Sequence, residues 1–145
     1  MISSFRGEFQ FLSNFHPCKV RHLSLDFVSS EHAYAASKTH DREVQIAISL
    51  LPTAGKAKRF YRKTQNLIRS DWCQIKIAIM TSIIEKKFSQ NPDLAKMLTE
   101  TGEEELVEGN VWNDKFWGQC PIGDGQNHLG NILMRVRFEI QEGIL

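Results

Sequence analysis

The segment of residues 71–90 constrains the fold most, because it combines an uninterrupted helical pattern with a start signal and a stop signal. Ser70 or Asp71 can cap the first turn, and Asn91-Pro92 ends the pattern. The apolar side chains form two stripes at helical spacing, one with Trp72, Ile75, Ile79 and Ile83 and the other with Ile77, Met80, Ile84 and Phe88. A helix that is apolar on two faces is usually central to its domain. We therefore expect this helix at the centre of the fold.

The remaining pattern predicts shorter elements around that helix. Residues 7–12 alternate polar and apolar side chains, and residues 20–28 can supply two more short strands. Further helices are predicted at residues 30–40, 42–51, 54–62, 94–100 and 131–142, the first with a serine cap and Glu31 in its first turn, and a short strand is predicted at 106–108. The chain of 145 residues shows no repeat and no linker. It is expected to form one α+β domain over residues 1–145, mainly helical, with a small antiparallel sheet near the N-terminus.

Charge and cysteine content limit the classes of ligand. Eighteen basic residues stand against seventeen acidic ones, whereas a protein that binds nucleic acid through phosphates usually has a clear basic excess. A local anion site for a small ligand or one modified nucleotide is therefore favoured over a long duplex. The cysteines, Cys18, Cys73 and Cys120, have no zinc or redox spacing, and the histidines have none either. No metal is expected, and Cys73 is predicted to be a small core residue.

The ends of the chain and its apolar stretches give an expectation about location. The first residues lack a basic region followed by an apolar one, so no signal peptide is predicted. The most apolar stretch, residues 75–84, is too short to span a bilayer. We expect a cytoplasmic protein with no membrane partner and no obligate protein partner.

Three residues of the first predicted helix form one candidate for chemistry. Glu31, Tyr34 and Lys38 are spaced i, i+3 and i+7, so a helix places them on one face across two turns. A carboxylate, a phenol ring and an amine aligned in this way can line the wall of a binding site. The alternative is a solvated amphipathic face with a glutamate at the helix start.

An aromatic segment forms the second candidate. Trp112, Phe116 and Trp117 surround Asp114 in a predicted loop at residues 110–130. Aromatic rings can stack on a base or cover a ribose, and apolar surroundings can raise the pKa of a carboxylic acid. The alternative is that the rings fill the core beneath a long loop.

Two further segments can bind anions. The glycine-rich residues 123–131 run into the last predicted helix, where backbone N–H groups can approach a phosphate, although a tight turn explains them equally. The basic stretch from Lys56 to Arg69 includes Arg59 and Arg62, which can clamp a phosphate bidentately. Such a stretch is otherwise a solvated face.

Taken in order, these segments resemble the NADAR family of YbiA-like N-glycosidases across nearly the whole chain. The matching pieces are Phe11-Leu12-Ser13-Asn14-Phe15 with Pro17, Ser30-Glu31-His32 with Tyr34, Ala36 and Lys38, Arg69-Ser70-Asp71-Trp72, Lys87-Phe88, Leu106-Val107-Glu108, Asn113-Asp114 with Phe116-Trp117-Gly118, and Asn127-His128-Leu129-Gly130 with Leu133-Met134 and Arg137. The order of the pieces is specific, although no single piece is.

The resemblance implies a compact, mainly helical fold, hydrolysis of N-glycosidic bonds and no cofactor. Family members act on ribosylamino-pyrimidine phosphates of riboflavin biosynthesis, or remove ADP-ribose from guanine in nucleotides or nucleic acid. Glu31, Trp72 and Asp114 match positions important for activity, and Lys38 ends the signature helix. The predicted catalytic residues are Glu31, Lys38 and Asp114. The predicted substrate-binding residues are Asn14, Phe15, Tyr34, Arg59, Arg62, Trp72, Trp117, Gly118, Asn127, Gly130 and Asn131.

Two departures from the family pattern bear on the substrate more than on the reaction. Ala35 stands where members often have Gln, and Tyr61-Arg62 stands near a Gly-Arg pair. The absence of a cyclohydrolase or reductase segment favours ADP-ribosylated guanine, in DNA, RNA or a nucleotide, over a small ribosylamine phosphate. A non-catalytic reader of ADP-ribose is the alternative from another class, and the low net charge disfavours a plain nucleic-acid-binding module.

Overall fold

A computed structural model describes all of residues 1–145 and divides them into two compact units. Unit 1 consists of Met1–Ser13 and Asn91–Leu145, and unit 2 consists of Asn14–Gln90. The elements confirm the predicted fold class, because the chain is mainly helical and has one small antiparallel sheet near its N-terminus.

Unit 2 contains the sheet and four helices. Strands β1 (Val20–His22) and β2 (Leu25–Phe27) form a hairpin in which Val20 faces Phe27 and His22 faces Leu25. The two turn residues, Leu23 and Ser24, both have positive φ, as a tight two-residue hairpin turn requires. The helices are α1 (Ser30–Ser37), α2 (Arg42–Ser49), α3 (Ala54–Arg59) and α4 (Trp72–Gln90), and two short 3-10 helices, Phe60–Lys63 and Gln65–Leu67, connect α3 to α4.

Side-chain caps explain where three of these helices begin. The Ser29 hydroxyl accepts a hydrogen bond from the His32 N–H at 3.1 Å, which confirms the predicted serine cap of α1. Asp41 caps α2, and Thr53 caps α3 through the N–H of Lys56. Each cap satisfies a backbone donor that has no partner within the helix. Helix α1 packs against α2, α3, α4 and β1, so it lies at the centre of unit 2.

Helix α4 follows only part of its predicted pattern. In its C-terminal half, Met80, Ile83, Ile84 and Phe88 are buried on one face of the helix, whereas the two apolar stripes predicted burial on two faces. Ile77 is 42% exposed. The prediction that Cys73 is a core residue is wrong, because the side chain is exposed on the first turn of the helix.

Unit 1 contains a 3-10 helix (Gly7–Leu12) and the helices α5 (Pro92–Glu100) and α6 (His128–Gln141). Two isolated parallel bridges, Ile2 with Leu106 and Gly109 with Gln119, join its extended segments. Helix α5 packs against α6. The apolar side chains at its core include Leu94, Leu98, Leu129, Leu133 and Val136.

Several predicted boundaries differ from the structure. Residues 7–12 form a 3-10 helix and not a strand, because the neighbours Phe11 and Leu12 are both buried, which the alternation of a strand does not allow. Residues 106–108 make only a bridge. Helix α6 begins at His128, earlier than predicted, because Asn127 adopts a left-handed conformation (φ 53°) at its N-cap.

Gly130, a glycine of the family motif in the first turn of α6, has a packing role. A Cβ at Gly130 would overlap the Leu106 carbonyl oxygen and the side chain of Asn127. The Asn127 amide in turn donates to Leu106 O at 2.9 Å and accepts from the Glu108 N–H at 3.0 Å. Helix α6 therefore lies in backbone contact with the segment around Leu106, and only glycine permits this approach.

We expect Gly130→Ala to lower the free energy of unfolding by about 2–3 kcal/mol, because backbone atoms must move to accept the methyl group. Urea unfolding followed by tryptophan fluorescence measures the change. Gly55→Ala in α3 is the matched control, because its Cβ meets only the flexible Arg59 side chain, at 3.2 Å. Equal stability of the two variants would contradict the packing role of Gly130.

Two histidines of unit 2 are held in their neutral form. The Ser37 hydroxyl donates to Ala33 O, so it accepts from His22 Nε2 at 2.9 Å, and Lys86 Nζ donates to His22 Nδ1 at 2.7 Å. Burial, together with the Lys86 charge, lowers the pKa of His22 to about 4. Burial also lowers the pKa of His32, whose ring binds Ser29 and the Leu51 carbonyl. Protonation of Nδ1 in His22 would break the hydrogen bond that it accepts from Lys86.

We expect the stability of the protein to fall as the pH falls from about 6.5 towards 4. The unfolded chain protonates His22 first, with an ordinary pKa of 6.5, so the neutral fold is fully stable above that value and loses about 3 kcal/mol across the window. Urea unfolding at a series of pH values measures this slope. His22→Gln should flatten it, and an unchanged slope in that variant would contradict the assignment.

Candidate active site

Helix α1 places an amine, a carboxylate and a phenol ring together in unit 2. Glu31 lies in its first turn, Tyr34 lies one turn later, and Lys38 is its C-cap, as the predicted helical spacing requires. The Lys38 Nζ lies 5.1 Å from the centre of the Tyr34 ring and 5.6 Å from the centre of the Tyr61 ring. Tyr34 is buried, and Glu31 and Lys38 are half-buried. A fully solvated amphipathic face, the alternative raised by the sequence, does not describe this arrangement.

Neighbouring segments fix the backbone around Lys38. The Tyr61 hydroxyl donates to the Ala35 carbonyl at 2.7 Å, and the Arg69 N–H donates to the Lys38 carbonyl at 2.7 Å. These bonds tie the 3-10 helix Phe60–Lys63 and the segment before α4 to the end of α1. The departure from the family pattern at position 61 thus contributes a ring to the site and an anchor for it.

The start of α4 supplies the other aromatic wall. The ring of Trp72 is buried and contacts the Tyr34 ring edge to face, with 5.1 Å between the ring centres. Arg69 donates to both carboxylate oxygens of Asp71, at 2.6 and 2.9 Å, and so orders the turn that leads into Trp72. This geometry explains the Arg-Ser-Asp-Trp piece of the motif as a support for the tryptophan.

The electrostatics of the site favour a neutral amine. Burial lowers the pKa of Lys38, and the charges of Lys76 and Lys58 lower it further, while Glu31 acts in the opposite direction. A lysine with a lowered pKa is a better nucleophile near neutral pH, because more of it is unprotonated. We call Glu31, Tyr34, Lys38, Lys58, Tyr61, Trp72 and Lys76 the Lys38 cluster.

Asn14 adds an unsatisfied acceptor next to this cluster. Its backbone carbonyl accepts from the Glu31 N–H at 3.0 Å, and its amide nitrogen approaches the Met80 sulfur at 3.6 Å. Its side-chain oxygen Oδ1 is buried and has no hydrogen-bond partner. A buried acceptor without a partner is costly and therefore rare in folded proteins. Phe15, the next residue, is 40% exposed.

Charge is distributed very unevenly between the two units. Unit 2 contains thirteen basic and six acidic residues, a net charge of +7, whereas unit 1 contains five basic and eleven acidic residues, a net charge of −6. The overall charge of +1 therefore hides a strongly basic half. Net charge averages over units of opposite sign, so the overall charge does not describe the electrostatic field around unit 2.

The aromatic loop of unit 1 is organised by Asp114 and Asn110. One carboxylate oxygen of Asp114 accepts from the N–H groups of Phe116 and Trp117 at 3.1 and 2.9 Å. The Asn110 side chain accepts from the Asp114 N–H and donates to the Asp114 carbonyl, both at 2.9 Å. Asp114 thus has a structural role at one oxygen, and its predicted catalytic role can use only the other.

The rings of this loop form a small cluster. Phe116 contacts Trp117 and His128, with ring centres 4.8 and 4.5 Å apart. Phe116 and Trp117 are half-buried, and Trp112 is 51% exposed. The rings are therefore neither fully in the core nor fully solvated, and the half-buried faces can contact a ligand.

Most backbone amides of the predicted anion site, at the start of α6, are already hydrogen-bonded within the protein. The N–H groups of His128 and Leu129 donate to the carbonyls of Phe116 and Trp117, and the Asn127 and Asn131 N–H groups donate to those of Gly118 and Asn127. Gly118 itself has no room for a side chain, because a Cβ would overlap the Glu108 carbonyl. Gly118 and Gly130 therefore permit close backbone packing.

The structure thus places the predicted residues in two groups. In unit 2, contacts or electrostatic interactions connect Glu31, Tyr34, Lys38 and Trp72, and Asn14 is bonded to Glu31. The same unit contains the exposed Arg59 and Arg62. Unit 1 contains the other predicted residues, Asp114, Trp117, Gly118, Asn127, Gly130 and Asn131. Sequence reasoning missed Lys58, Tyr61 and Lys76 as members of the cluster. Lys76 lies four residues after Trp72 on the same helix, and this spacing predicts that the two side chains are close to each other.

Two negative findings complete the description. No group of three or more histidine, cysteine or acidic side chains is arranged to hold a metal ion. None of the helices combines the length and the apolar character needed to cross a bilayer.

Comparison with known proteins identifies the family. The model of the NADAR domain matches residues 4–141. A riboflavin biosynthesis protein of Vibrio vulnificus is 42% identical over 91% of this chain, which spans only 36% of that longer protein. An N-glycosidase of Nostoc punctiforme is 36% identical over 89% of this chain and 84% of its own length. The N-glycosidase YbiA of Escherichia coli is 30% identical over 88% of this chain and 79% of its own length.

The fold agrees with a solved member of the same group. The solution structure of Escherichia coli YbiA superimposes with a TM-score of 0.85 and 27% identity, covering 99% of this chain and 88% of YbiA. The agreement of the family model, the relatives and the fold leads to one conclusion: this chain belongs to the NADAR family.

Proposed function

We propose that the protein is an N-glycosidase that hydrolyses a bond between ribose and nitrogen, with its chemistry at the Lys38 cluster. The observation that carries this proposal is the half-buried Lys38 amine, whose pKa is lowered and which shares a helix face with Glu31. The relatives named N-glycosidases support the reaction class. A binding module needs neither an activated amine nor a paired carboxylate.

Glu31 is assigned to the sugar in this mechanism. As the nitrogen departs, positive charge develops on the ribose, and a nearby carboxylate stabilises that charge or accepts a proton from water. Asn14 Oδ1, next to Glu31, is assigned to a ribose hydroxyl, because it is a buried acceptor in need of a donor. The Tyr34 and Trp72 rings supply the apolar wall that strengthens both interactions.

Lys38 is assigned to the anomeric carbon. A ribosylamine can open its ring to an imine, and the neutral amine of Lys38 can add to that carbon. Expulsion of the original amine, which takes up a proton, leaves a Schiff base between Lys38 and the sugar. Water then hydrolyses this Schiff base, which releases the free sugar and regenerates the lysine. The step requires an unprotonated amine, and the lowered pKa of Lys38 increases the fraction of the amine in that form.

The proposed substrate is ADP-ribosylated guanine in a nucleotide or nucleic acid. The diphosphate of ADP-ribose suits a unit of net charge +7, in which Arg59 and Arg62 are the candidate phosphate ligands. Trp117 is assigned to stack on the sugar or the base, and Asp114 to position the ribose hydroxyls or donate a proton. Gly118, Asn127, Gly130 and Asn131 are assigned to the backbone that presents this loop.

A ribosylamino-pyrimidine phosphate is the second candidate substrate. The observation in its favour is the similarity to the riboflavin biosynthesis protein of Vibrio vulnificus. Both substrates contain a ribosylamine and phosphate, so the same cluster can act on either one.

We expect Glu31→Gln to reduce turnover by at least about a hundredfold, because the neutral amide cannot stabilise the developing positive charge. The protein is incubated with guanine-linked ADP-ribosyl DNA and, separately, with the ribosylamino-pyrimidine phosphate, and mass spectrometry identifies the products. Glu43→Gln, an exposed glutamate of α2, is the matched control. Full activity of Glu31→Gln would contradict its assignment. If neither compound is cleaved and ADP-ribose binds tightly, the protein is a non-catalytic reader of ADP-ribose and not an enzyme.

We expect borohydride to trap the sugar on Lys38 during turnover, because reduction converts the Schiff base into a stable amine. Peptide mapping locates the added mass. Lys38→Arg should abolish the adduct, and Lys58→Arg should retain it. A wild-type protein that turns over substrate without any adduct would exclude the covalent step.

The same assignment determines the pH dependence of turnover. Because the amine must be neutral, the rate should rise with pH and level off below the ordinary lysine pKa of 10.5. Lys76→Gln removes a charge that lowers the pKa of Lys38, so the inflection should move to higher pH. Lys96→Gln, which has no such effect on Lys38, serves as the control.

A further inference from the structure

Helix α3 and the 3-10 helix Phe60–Lys63 form a surface that is positively charged along its length. Its basic side chains are Lys56, Lys58, Arg59, Arg62 and Lys63, and all of them are exposed. We call this the α3 surface. From the rise per residue of the two helices, the chain covers about 12 Å from the first of these residues to the last. That length exceeds what one phosphate group can contact.

Four of these five charges are not neutralised within the protein. Residues 44–70 contain no aspartate or glutamate, although they include six basic residues. No ion pair involves Lys56, Arg59, Arg62 or Lys63, whereas Arg69, just beyond them, is paired with Asp71. Unpaired like charges at this density repel one another, so a surface of this kind is stabilised by an anionic partner.

The α3 surface is continuous with the Lys38 cluster. Tyr61 lies between Phe60 and Arg62, its hydroxyl binds the Ala35 carbonyl of α1, and its ring lies 5.6 Å from Lys38 Nζ. Lys58 of the α3 surface also acts electrostatically on Lys38. A polyanion on this surface would therefore run directly beside the residues proposed to cleave the glycosidic bond.

An exposed aromatic ring accompanies the charges. The Lys58 Nζ lies 5.6 Å from the centre of the Phe15 ring, and that ring is 40% exposed. A row of cations along the backbone path, combined with an exposed ring on which a base can stack, is the pattern of proteins that bind single-stranded nucleic acid. A small phosphorylated metabolite uses only one or two such cations.

We propose that the α3 surface binds the backbone of a single strand of nucleic acid and holds it so that a modified base reaches the Lys38 cluster. The inference rests on the proposed function, since it makes a strand the form in which the ribose–nitrogen bond is presented. It extends that function, because it assigns Lys56 and Lys63, which lie outside the residues predicted to contact the substrate, to the strand on either side.

Binding of an unmodified strand tests the inference without any chemistry. Fluorescence anisotropy of a labelled oligodeoxynucleotide of about twelve nucleotides is measured over a range of salt concentrations. The logarithm of the association constant should fall with the logarithm of the salt concentration, with a slope of about −0.7 for each phosphate contacted. Equal or tighter binding of the corresponding blunt duplex would overturn the assignment to a single strand.

Lys56→Gln/Lys63→Gln is the test variant, because both side chains are exposed and neither belongs to the Lys38 cluster. It should make the salt slope shallower by about 1.4 and weaken binding at low salt several-fold. Lys96→Gln/Arg135→Gln removes two exposed charges from unit 1 and should leave both quantities unchanged. Equal losses in the two double variants would overturn the inference, because binding would then depend on net charge alone.

Turnover separates this inference from the proposed function. With a modified base in a strand, Lys56→Gln/Lys63→Gln should raise KM and leave kcat unchanged, and with the corresponding mononucleotide it should change neither constant. Strand binding through these lysines without any cleavage would overturn the glycosidase and leave the binding surface intact. Cleavage of the mononucleotide without strand binding would do the reverse. Capture by vesicles rich in anionic lipid, in preference to the oligonucleotide, would also overturn the inference.

Discussion

The partial burial of the Lys38 amine is the physical constraint on which the candidate site depends. Tyr34 comes from the same helix, Tyr61 comes from the 3-10 helix after α3, and together they place two rings beside the amine. Burial and two neighbouring lysines lower its pKa, while Glu31 opposes this and keeps a carboxylate on the same helix face. An amine in such surroundings is costly to fold as a cation, so its neutral form is favoured relative to that of a lysine in water.

The residues shared with the NADAR family fall into two kinds when their contacts are examined. Glu31, Lys38 and Trp72 present side chains to one another or to a common wall in unit 2. Gly118, Asn127 and Gly130 instead allow backbone segments of unit 1 to approach closely, and Asp114 gives one oxygen to the same purpose. A residue shared with the family therefore indicates function only where packing does not already explain it.

The division of charge changes what the composition implies. A chain of net charge +1 contains one unit of +7 and one of −6, and the basic unit is the one that contains the Lys38 cluster. Long-range attraction of a phosphorylated substrate depends on the local field and not on the total charge. The basic residues of α3 lie in a segment without aspartate or glutamate, so no carboxylate nearby in the chain reduces their positive potential.

The sequence by itself determined the class of fold, the long α4 helix, the capped start of α1 and the common face of Glu31, Tyr34 and Lys38, because each depends on contacts between residues close in the chain. Only the tertiary structure decided that Tyr61 and Lys76 join the Lys38 cluster, that the amides before α6 are already bonded, and that Cys73 is exposed. It also showed residues 7–12 as a 3-10 helix, since burial of neighbouring Phe11 and Leu12 overrides their alternating pattern. These features depend on desolvation and on contacts between residues far apart in the chain, which local pattern does not contain.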